Sequence, residues 1–252
     1  LTDIADFENL RDRDLRREGV FVAEGRLLVE RSVSAGLEVL SVYAAASAAV
    51  EAAALAGEAI PLSILDDASL ERVAGYPFHR GIFAVVRRPE SALPFSSDSP
   101  ELSTARVLVL PSITDPGNLG TLLRSALAFG FSTVYLGAQS CDPFNRKALR
   151  ASMGAALTLR LCPACPADLS VFSARGGTVY AAAMEENALD ASMVSVRSPC
   201  ALVLGNEHDG IPGDWRRECD TAVVIPVGKD VDSLNVAIAG SILMWHLSGS
   251  TV

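Results

Sequence analysis

Three short stretches carry side chains whose types and spacing could do chemistry. In the first, Asp115-Pro116-Gly117-Asn118-Leu119-Gly120 joins a strand pattern to a helical one, and Arg124 follows in the early part of that helix, near the same loop mouth. Two glycines let a backbone turn sharply and approach a ligand. Neither a dinucleotide fingerprint nor a phosphate-loop lysine accompanies them. An arginine among Leu122, Leu123, Ala126 and Leu127 pairs with a buried acid, snorkels to water, or serves a site. In the second, Gly205-Asn206-Glu207-His208-Asp209-Gly210 leaves an apolar strand, and Glu207 is a site acid, an ordinary loop acid or a cap for a helix at 213–219. The third carries Gly228, Lys229, Asp230 and Asp232, then Ser233 and Asn235 at the start of a long apolar helix. Asp232 or Ser233 suits its N-cap, and helix N-termini offer free N–H donors to a ligand. His208 is a candidate base, whereas nothing pairs with His79 or His246. An Asn/Arg pair, a glycine-flanked Glu and a Ser/Asn pair suit electrostatic positioning of a polar substrate beside a ligand bound largely by backbone. No metal set and no Ser–His–Asp arrangement is visible.

The elements that must hold these loops fall into two α/β stretches. Residues 1–90 alternate: a charged helix over 5–18, strand VFVAEG, helix GRLLVERSVSAG, strand LEVLSVYAA, an Ala-rich helix at 47–56, strand AIPLSIL, helix DASLERVAG and strand GIFAVVRR. Residues 91–105, rich in serine and proline with no apolar period, read as a linker. Residues 106–252 resume with strand RVLVLPSI, TDPGNLG as a tight turn, and helix TLLRSALAFG. Strand STVYLG, helix DPFNRKALRASMGAAL, strand LRLCP, helix ADLSVFSARGG, strand TVYAAAM and the stretch 201–247 complete it. Continuous apolar strands alternating with helices predict a largely parallel sheet, whose ligands bind beyond the carboxyl ends of the strands.

Bulk properties narrow the class. A chain of 252 residues, half of them apolar, can bury one large or two small cores. No apolar run reaches a membrane span, and the charged first residues do not read as a signal peptide, so a soluble cytoplasmic protein is the expectation. A net charge of −9 argues mildly against nonspecific polyanion binding but leaves room for local basic clusters, at Arg11, Arg13, Arg16 and Arg17 and at Arg146, Lys147 and Arg150. In the first cluster the arginines alternate with Asp12, Asp14 and Glu18, which fits a solvated helix face as well as RNA contact. Five cysteines, including the Cys162/Cys165 pair, make no disulfide framework and no zinc set, so the thiols read as structural.

The segments NLGTLLRSALAFG, ALVLGNEHDGIP and VVIPVGKDVDSLNVAIAGSILMWHL, with RASMGAAL between the first two, resemble the motifs of the SpoU/TrmH family of RNA ribose 2′-O-methyltransferases, in that order over 106–247. Residues 20–88 resemble the L30e-like substrate-binding domain that precedes the catalytic domain in many members. The resemblance implies an L30e-like α/β domain at 1–90, a linker at 91–105, and a SPOUT catalytic domain at 106–252 with a deep trefoil knot. It also implies S-adenosyl-L-methionine as cofactor, a homodimer through the C-terminal domain, and RNA as substrate. The first domain leans toward ribosomal RNA, 23S in particular, with transfer RNA as the alternative. Carried onto this sequence, Asn118, Arg124, Glu207, Ser233 and Asn235 are the catalytic set. Gly205, Ile225 and Leu234, flanked by Leu204, Gly210 and Pro226, match positions whose backbones hold the adenosyl group. His208 stands where members usually have a small residue, and Ile211-Pro212 replaces a common Leu-Ser. A noncatalytic RNA-binding protein and a nucleotide-binding α/β enzyme are the competing classes.

Overall fold

The computed structural model describes residues 12–74, 81–94, 105–195, 198–206, 208–228, 230 and 233–249. Readings that involve Glu207, His79, Lys229, Asp232, Arg11 or the bulk of the linker therefore lie outside the described residues. By its internal contacts the chain divides into two units, Leu1–Glu90 with Phe144–Leu157, and Ser91–Pro143 with Thr158–Val252.

In the first unit, α1 (Asp12–Arg17), β1 (Val20–Glu24), α2 (Arg26–Ser34), β2 (Val39–Ala45), α3 (Ala49–Ala56), β3 (Leu62–Leu65), α4 (Asp67–Ala74) and β4 (Ile82–Arg87) follow the expected alternation. The sheet order is β1-β4-β2-β3. Its β1–β4 and β4–β2 pairs are antiparallel and β2–β3 is parallel. Apolar residues fill β1 and β4 because both strands are covered: Val20, Val22, Phe83 and Val85 are buried with Leu15 and Leu70. Tyr43 stacks on Phe83 with ring centroids 5.0 Å apart.

The 16-residue helix expected over DPFNRKALRASMGAAL does not form. A short α6 (Arg146–Ala151) is followed by a separate 3₁₀ turn at Ala155–Leu157. Local chemistry sets both limits. The Asn145 side chain accepts the N–H of Lys147 as N-cap, and Met153 and Gly154 take φ of 52° and 80°, which no α-helix continues through. The positive φ at Gly154 and a close approach act together, since a Cβ there would lie 2.9 Å from Arg31 Cδ.

This segment is part of the first unit's core, with Ala148, Leu149, Ala155 and Ala156 buried. Asn145 Nδ2 and Arg146 Nε donate to the two carboxylate oxygens of Asp12 at 2.7 and 2.9 Å. Arg150 donates to Glu24, whose side chain is only 2% exposed. Of the basic cluster Arg146, Lys147 and Arg150, two members thus turn to buried or half-buried carboxylates, and Lys147 is exposed.

The second unit comprises β5 (Arg106–Leu110), α5 (Pro116–Ala128), β6 (Thr133–Leu136), β7 (Arg160–Pro163), α7 (Ala167–Ala174), β8 (Thr178–Ala182), β9 (Leu189–Asp190), β10 (Cys200–Leu204), α8 (Gly213–Arg217), β11 (Thr221–Val224) and α9 (Val236–Leu247). The two-residue β9 has no counterpart in the sequence reading. The sheet order among the described residues is β7-β6-β5-β10-β8-β11-β9, and each pairing is parallel, as expected. The start of the predicted linker lies along the edge strand β7: Ala92 N–H donates to the Leu161 carbonyl at 3.2 Å, and Leu93 O accepts from Arg160 Nη2 at 2.6 Å. One feature of the order matters most for the site. Strand β8 sits between β10 and β11, so the loops leaving those two strands flank the end of β8.

Candidate active site

The predicted tight turn at 114–120 is the first turn of a helix. Asp115 is its N-cap, accepting the Asn118 N–H at 2.9 Å, and Pro116 takes the first helical position, where its missing N–H costs nothing. Asn118 therefore sits at the helix mouth, half-buried. Arg124 lies six residues further, about 9 Å along the axis, rather than beside the loop mouth. It is exposed, and among the described residues it has no hydrogen-bond or ion-pair partner. Of the alternatives left open by the sequence, pairing with a buried acid is thus not realised among them.

The loop after β10 is closed by Asn206, whose role the sequence did not reveal. Asn206 and Gly210 exchange backbone hydrogen bonds at 3.2 Å, and Asn206 Oδ1 accepts the N–H groups of His208 and Asp209 at 2.9 and 2.7 Å. Closure forces the backbone of 210–211 against Gly205, where a Cβ would lie 2.0 Å from the Gly210 carbonyl carbon. Only glycine fits there.

The N-cap of α9 is Asn235, not Ser233. Its Oδ1 accepts from the N–H groups of Ala237 and Ile238 at 2.9 and 3.4 Å. Its Nδ2 donates to Asn118 Oδ1 at 3.1 Å, so the starts of α5 and α9 are tied together. The two helices also meet through a 2.7 Å hydrogen bond between Ser125 and Ser241, and through Gly240, where a Cβ would lie 2.5 Å from Leu122. We expect Asn235→Ala to cost about 1–2 kcal/mol in urea unfolding, the usual loss for a helix cap. Asn235→Asp keeps the cap but cannot donate to Asn118, so its stability should stay within about 0.5 kcal/mol of wild type.

A cavity of about 380 Å³ opens at the carboxyl ends of β8, β10 and β11, against α9. Of the predicted cofactor residues, Leu204, Gly205, Gly210, Ile225 and Leu234 line it, and so does Ser233. Pro226 is exposed and is absent from the lining, although its neighbours Ile225 and Val227 are there. Asn118, Arg124 and Asn235 do not line the cavity either. Among the lining residues missed are Ala182, Ala183, Met184 and Glu185, together with Asn206. The sequence marked TVYAAAM as a strand, but nothing in it placed that strand between the other two. Glu185 is held by a bidentate pair with Arg216, Nε to Oε1 at 2.6 Å and Nη2 to Oε2 at 2.7 Å. The hydrogen bond from Arg216 holds its carboxyl below the usual carboxylate range.

Cys162 and Cys200 are buried and Cys219 half-buried, while Cys165 is exposed. Burial pushes the Cys200 and Cys219 thiols up to about 11 and also raises Cys162. At pH 8 roughly one in a thousand of the Cys200 or Cys219 thiols is ionised, and the thiolate is the reactive form. A disulfide reagent on the native protein should therefore label Cys165 quickly, with Cys162 and Cys200 reacting only after denaturation. Fast labelling of either of those two would contradict their burial. Among the described residues no group of His, Cys, Asp and Glu could hold a metal ion, and no helix is long and apolar enough to cross a membrane.

Several known proteins are similar to this chain in sequence or in fold. The chain is 29% identical to the 23S rRNA (guanosine(2553)-2′-O)-methyltransferase RlmP of Bacillus subtilis, over 98% of this chain and 96% of that protein. It is 30% identical to a Mycobacterium tuberculosis protein named as an uncharacterized tRNA/rRNA methyltransferase, over 97% and 88%. A TrmH-family protein from Porphyromonas gingivalis superposes with a TM-score of 0.83 at 28% identity, covering 97% and 96% of the two chains. An AdoMet-bound rRNA methyltransferase from Sinorhizobium meliloti shares the fold, with a TM-score of 0.84 at 24% identity over 97% and 93%. The family model of the SpoU rRNA methylases matches residues 105–245, a span that covers more than half of the sequence and holds the whole cavity, so this chain belongs to the SpoU rRNA methylase family.

Proposed function

We propose that the protein transfers a methyl group from S-adenosylmethionine to a ribose 2′-hydroxyl of RNA, with 23S ribosomal RNA as the substrate. The observation that carries this reading is the cavity at the ends of β8, β10 and β11, inside the family-matched span. Its volume falls in the range of small-molecule sites. Leu204, Val223, Ile225, Leu234 and Leu243 give it apolar walls suited to a flat base, and Glu185 gives it one ionised rim. Past Val224 the strand ladder ends, so the backbone groups of 225–228 lie beyond the sheet and can meet a ligand. Full-length similarity to a protein named as a 23S rRNA 2′-O-methyltransferase supports the substrate class.

When bound, the cofactor supplies an electrophilic methyl group and leaves as a neutral thioether. The chain's own task is alignment and activation of the hydroxyl. An exposed guanidinium without a protein partner among the described residues, at Arg124, suits bidentate capture of an RNA phosphate. Guanidinium is effectively never deprotonated in proteins, so Arg124 holds and screens charge while the proton leaves to phosphate or water. Asn118 and Asn235, already hydrogen-bonded to each other, orient the ribose; Ser233 supports it from the cavity wall, and Glu207 completes the set.

The same reading assigns RNA grip to residues 1–90 as an L30e-like module, with exposed Arg16 and Arg17 among its contacts. It assigns catalysis, the trefoil knot and dimerisation to residues 106–252, joined by the stretch 91–105. Support for a homodimer comes from Ile238, Ile242 and Trp245, exposed on one face of α9 at helical spacing. Light scattering that gives one chain per particle would remove that part.

Incubation with tritiated S-adenosylmethionine and unmodified 23S RNA should label the RNA at one nucleotide, resistant to alkaline cleavage on its 3′ side. Label in transfer RNA alone would move the substrate class. No label in either pool, with cofactor bound, would favour a noncatalytic RNA-binding protein.

A further inference from the structure

We propose that Glu185 accepts hydrogen bonds from the vicinal ribose hydroxyls of the bound ligand, held in position for that by Arg216. The inference deepens the cofactor reading above and rests on it. Glu185 stands three residues past β8, at the rim of the cavity, and among the described lining residues it is the one ionisable side chain. The rest of the lining is apolar, small or uncharged. Among the described lining residues, the fixed charge offered to a ligand therefore comes from this carboxylate.

Its geometry is prepared in advance. Arg216 occupies one lone pair on each carboxylate oxygen through its fork of Nε and Nη2. Each oxygen keeps acceptor capacity beyond the fork. Arg216 is itself fixed in α8, its N–H donating to the Pro212 carbonyl at 2.9 Å and Nη1 to the Cys219 carbonyl at 3.4 Å. Helix α8 starts three residues after the glycine that closes the 205–210 loop, so the orienting arginine is tied to the cavity's own wall. An exposed ion pair of this kind contributes little to stability, whereas a carboxylate immobilised at a cavity mouth is preorganised for a ligand.

Charge decides which ligand group it takes. The guanidinium already balances the carboxylate, and a second cation such as an amino acid ammonium would approach that guanidinium closely and be repelled. Neutral O–H donors meet no such repulsion. Two adjacent hydroxyls on a ribose match one carboxylate, the pairing by which acidic side chains read ribose in dinucleotide sites. The carboxyl is held below the usual range by its arginine, so it remains an acceptor throughout neutral pH.

Calorimetry on the full chain tests this with three probes: S-adenosylhomocysteine, 5′-methylthioadenosine, and the 2′,3′-dideoxy analogue of the latter. Glu185→Gln should weaken the first two alike, by roughly 10- to 100-fold, the value of a hydrogen bond to a charged acceptor. It should leave the affinity for the dideoxy analogue unchanged. Loss confined to S-adenosylhomocysteine would assign Glu185 to the amino acid moiety and overturn the proposal. Equal loss for all three probes would make the residue merely structural and overturn it too, as would unchanged affinity for the first two. Arg216→Met leaves the carboxylate but frees it, and should weaken the same two ligands because the acceptor is no longer preorganised; unchanged affinity there overturns the positioning role. Failure of the wild-type chain to bind S-adenosylhomocysteine overturns the cofactor reading and this proposal together, which separates it from failure of the Glu185 assignment alone.

Discussion

Arg150→Ala lowers the stability of the first unit by about 3 kcal/mol, because it removes a charged partner from a carboxylate that has almost no access to water. Glu24 ends β1 with a side chain 2% exposed, and Arg150 donates to its Oε2. Arg146 remains, but its Nη1 is 3.8 Å from the other oxygen and its Nε is engaged with Asp12. That residual partner places the cost near the lower end of the range for breaking a buried pair. The converse change is milder. Glu24→Gln leaves an arginine that is 30% exposed and can turn its charge to solvent. Replacing both partners together, Glu24→Leu with Arg150→Met, should recover most of the loss, because two well-packed apolar side chains leave no buried charge. Urea unfolding of the full chain followed by tryptophan-independent circular dichroism reads all three. A loss below about 1 kcal/mol for Arg150→Ala would mean that water reaches Glu24 once the arginine is gone.

Arg124→Ala lowers methyl transfer by about 100- to 1,000-fold, the usual cost of removing one donor aimed at developing charge. Binding of S-adenosylhomocysteine should stay within about twofold of wild type, since a residue outside the cavity contributes no uniform binding there. The structure makes this a clean test. Arg124 is exposed and does not line the cavity, so its loss leaves no buried hole and no stranded acid among the described residues. Arg124→Lys should recover little, because an ammonium cannot reproduce the planar fork. Parallel loss of binding and transfer would instead make the arginine part of the fold, and full activity would remove it from the site.

Much of the architecture was legible because it follows from short-range rules. The run VFVA within β1 and the strand CALVL are continuous apolar stretches, and a helix start such as Asp115-Pro116 is written in its cap and its proline. Even there, one rule can mask another. The glycines at 117 and 120 suggest a turn, but Asp115 and Pro116 start the helix ahead of them, and Gly120 is buried within it. The break after Ala151 was harder to see, because RKALRASMGAAL has helical composition throughout. Met153 takes a positive φ, and its carbonyl accepts from Arg31, a residue 122 positions away in sequence.

What the sequence by itself determined is most of the strands and helices, the parallel sheet of the second unit, and part of the cavity wall, with Leu204, Gly205, Gly210, Ile225, Ser233 and Leu234. Leu204, Gly205 and Ile225 sit at or just past the ends of apolar strands, and a strand end is a local property. The tertiary structure alone decided the rest. It brought β8 between β10 and β11 and so added Ala182 through Glu185 to the site. It spent Arg146 and Arg150 on carboxylates within the first unit, and it tied Asn235 to Asn118 across 117 positions. Strand order and long-range pairing depend on which surfaces find each other in three dimensions, and spacing along the chain carries no record of that.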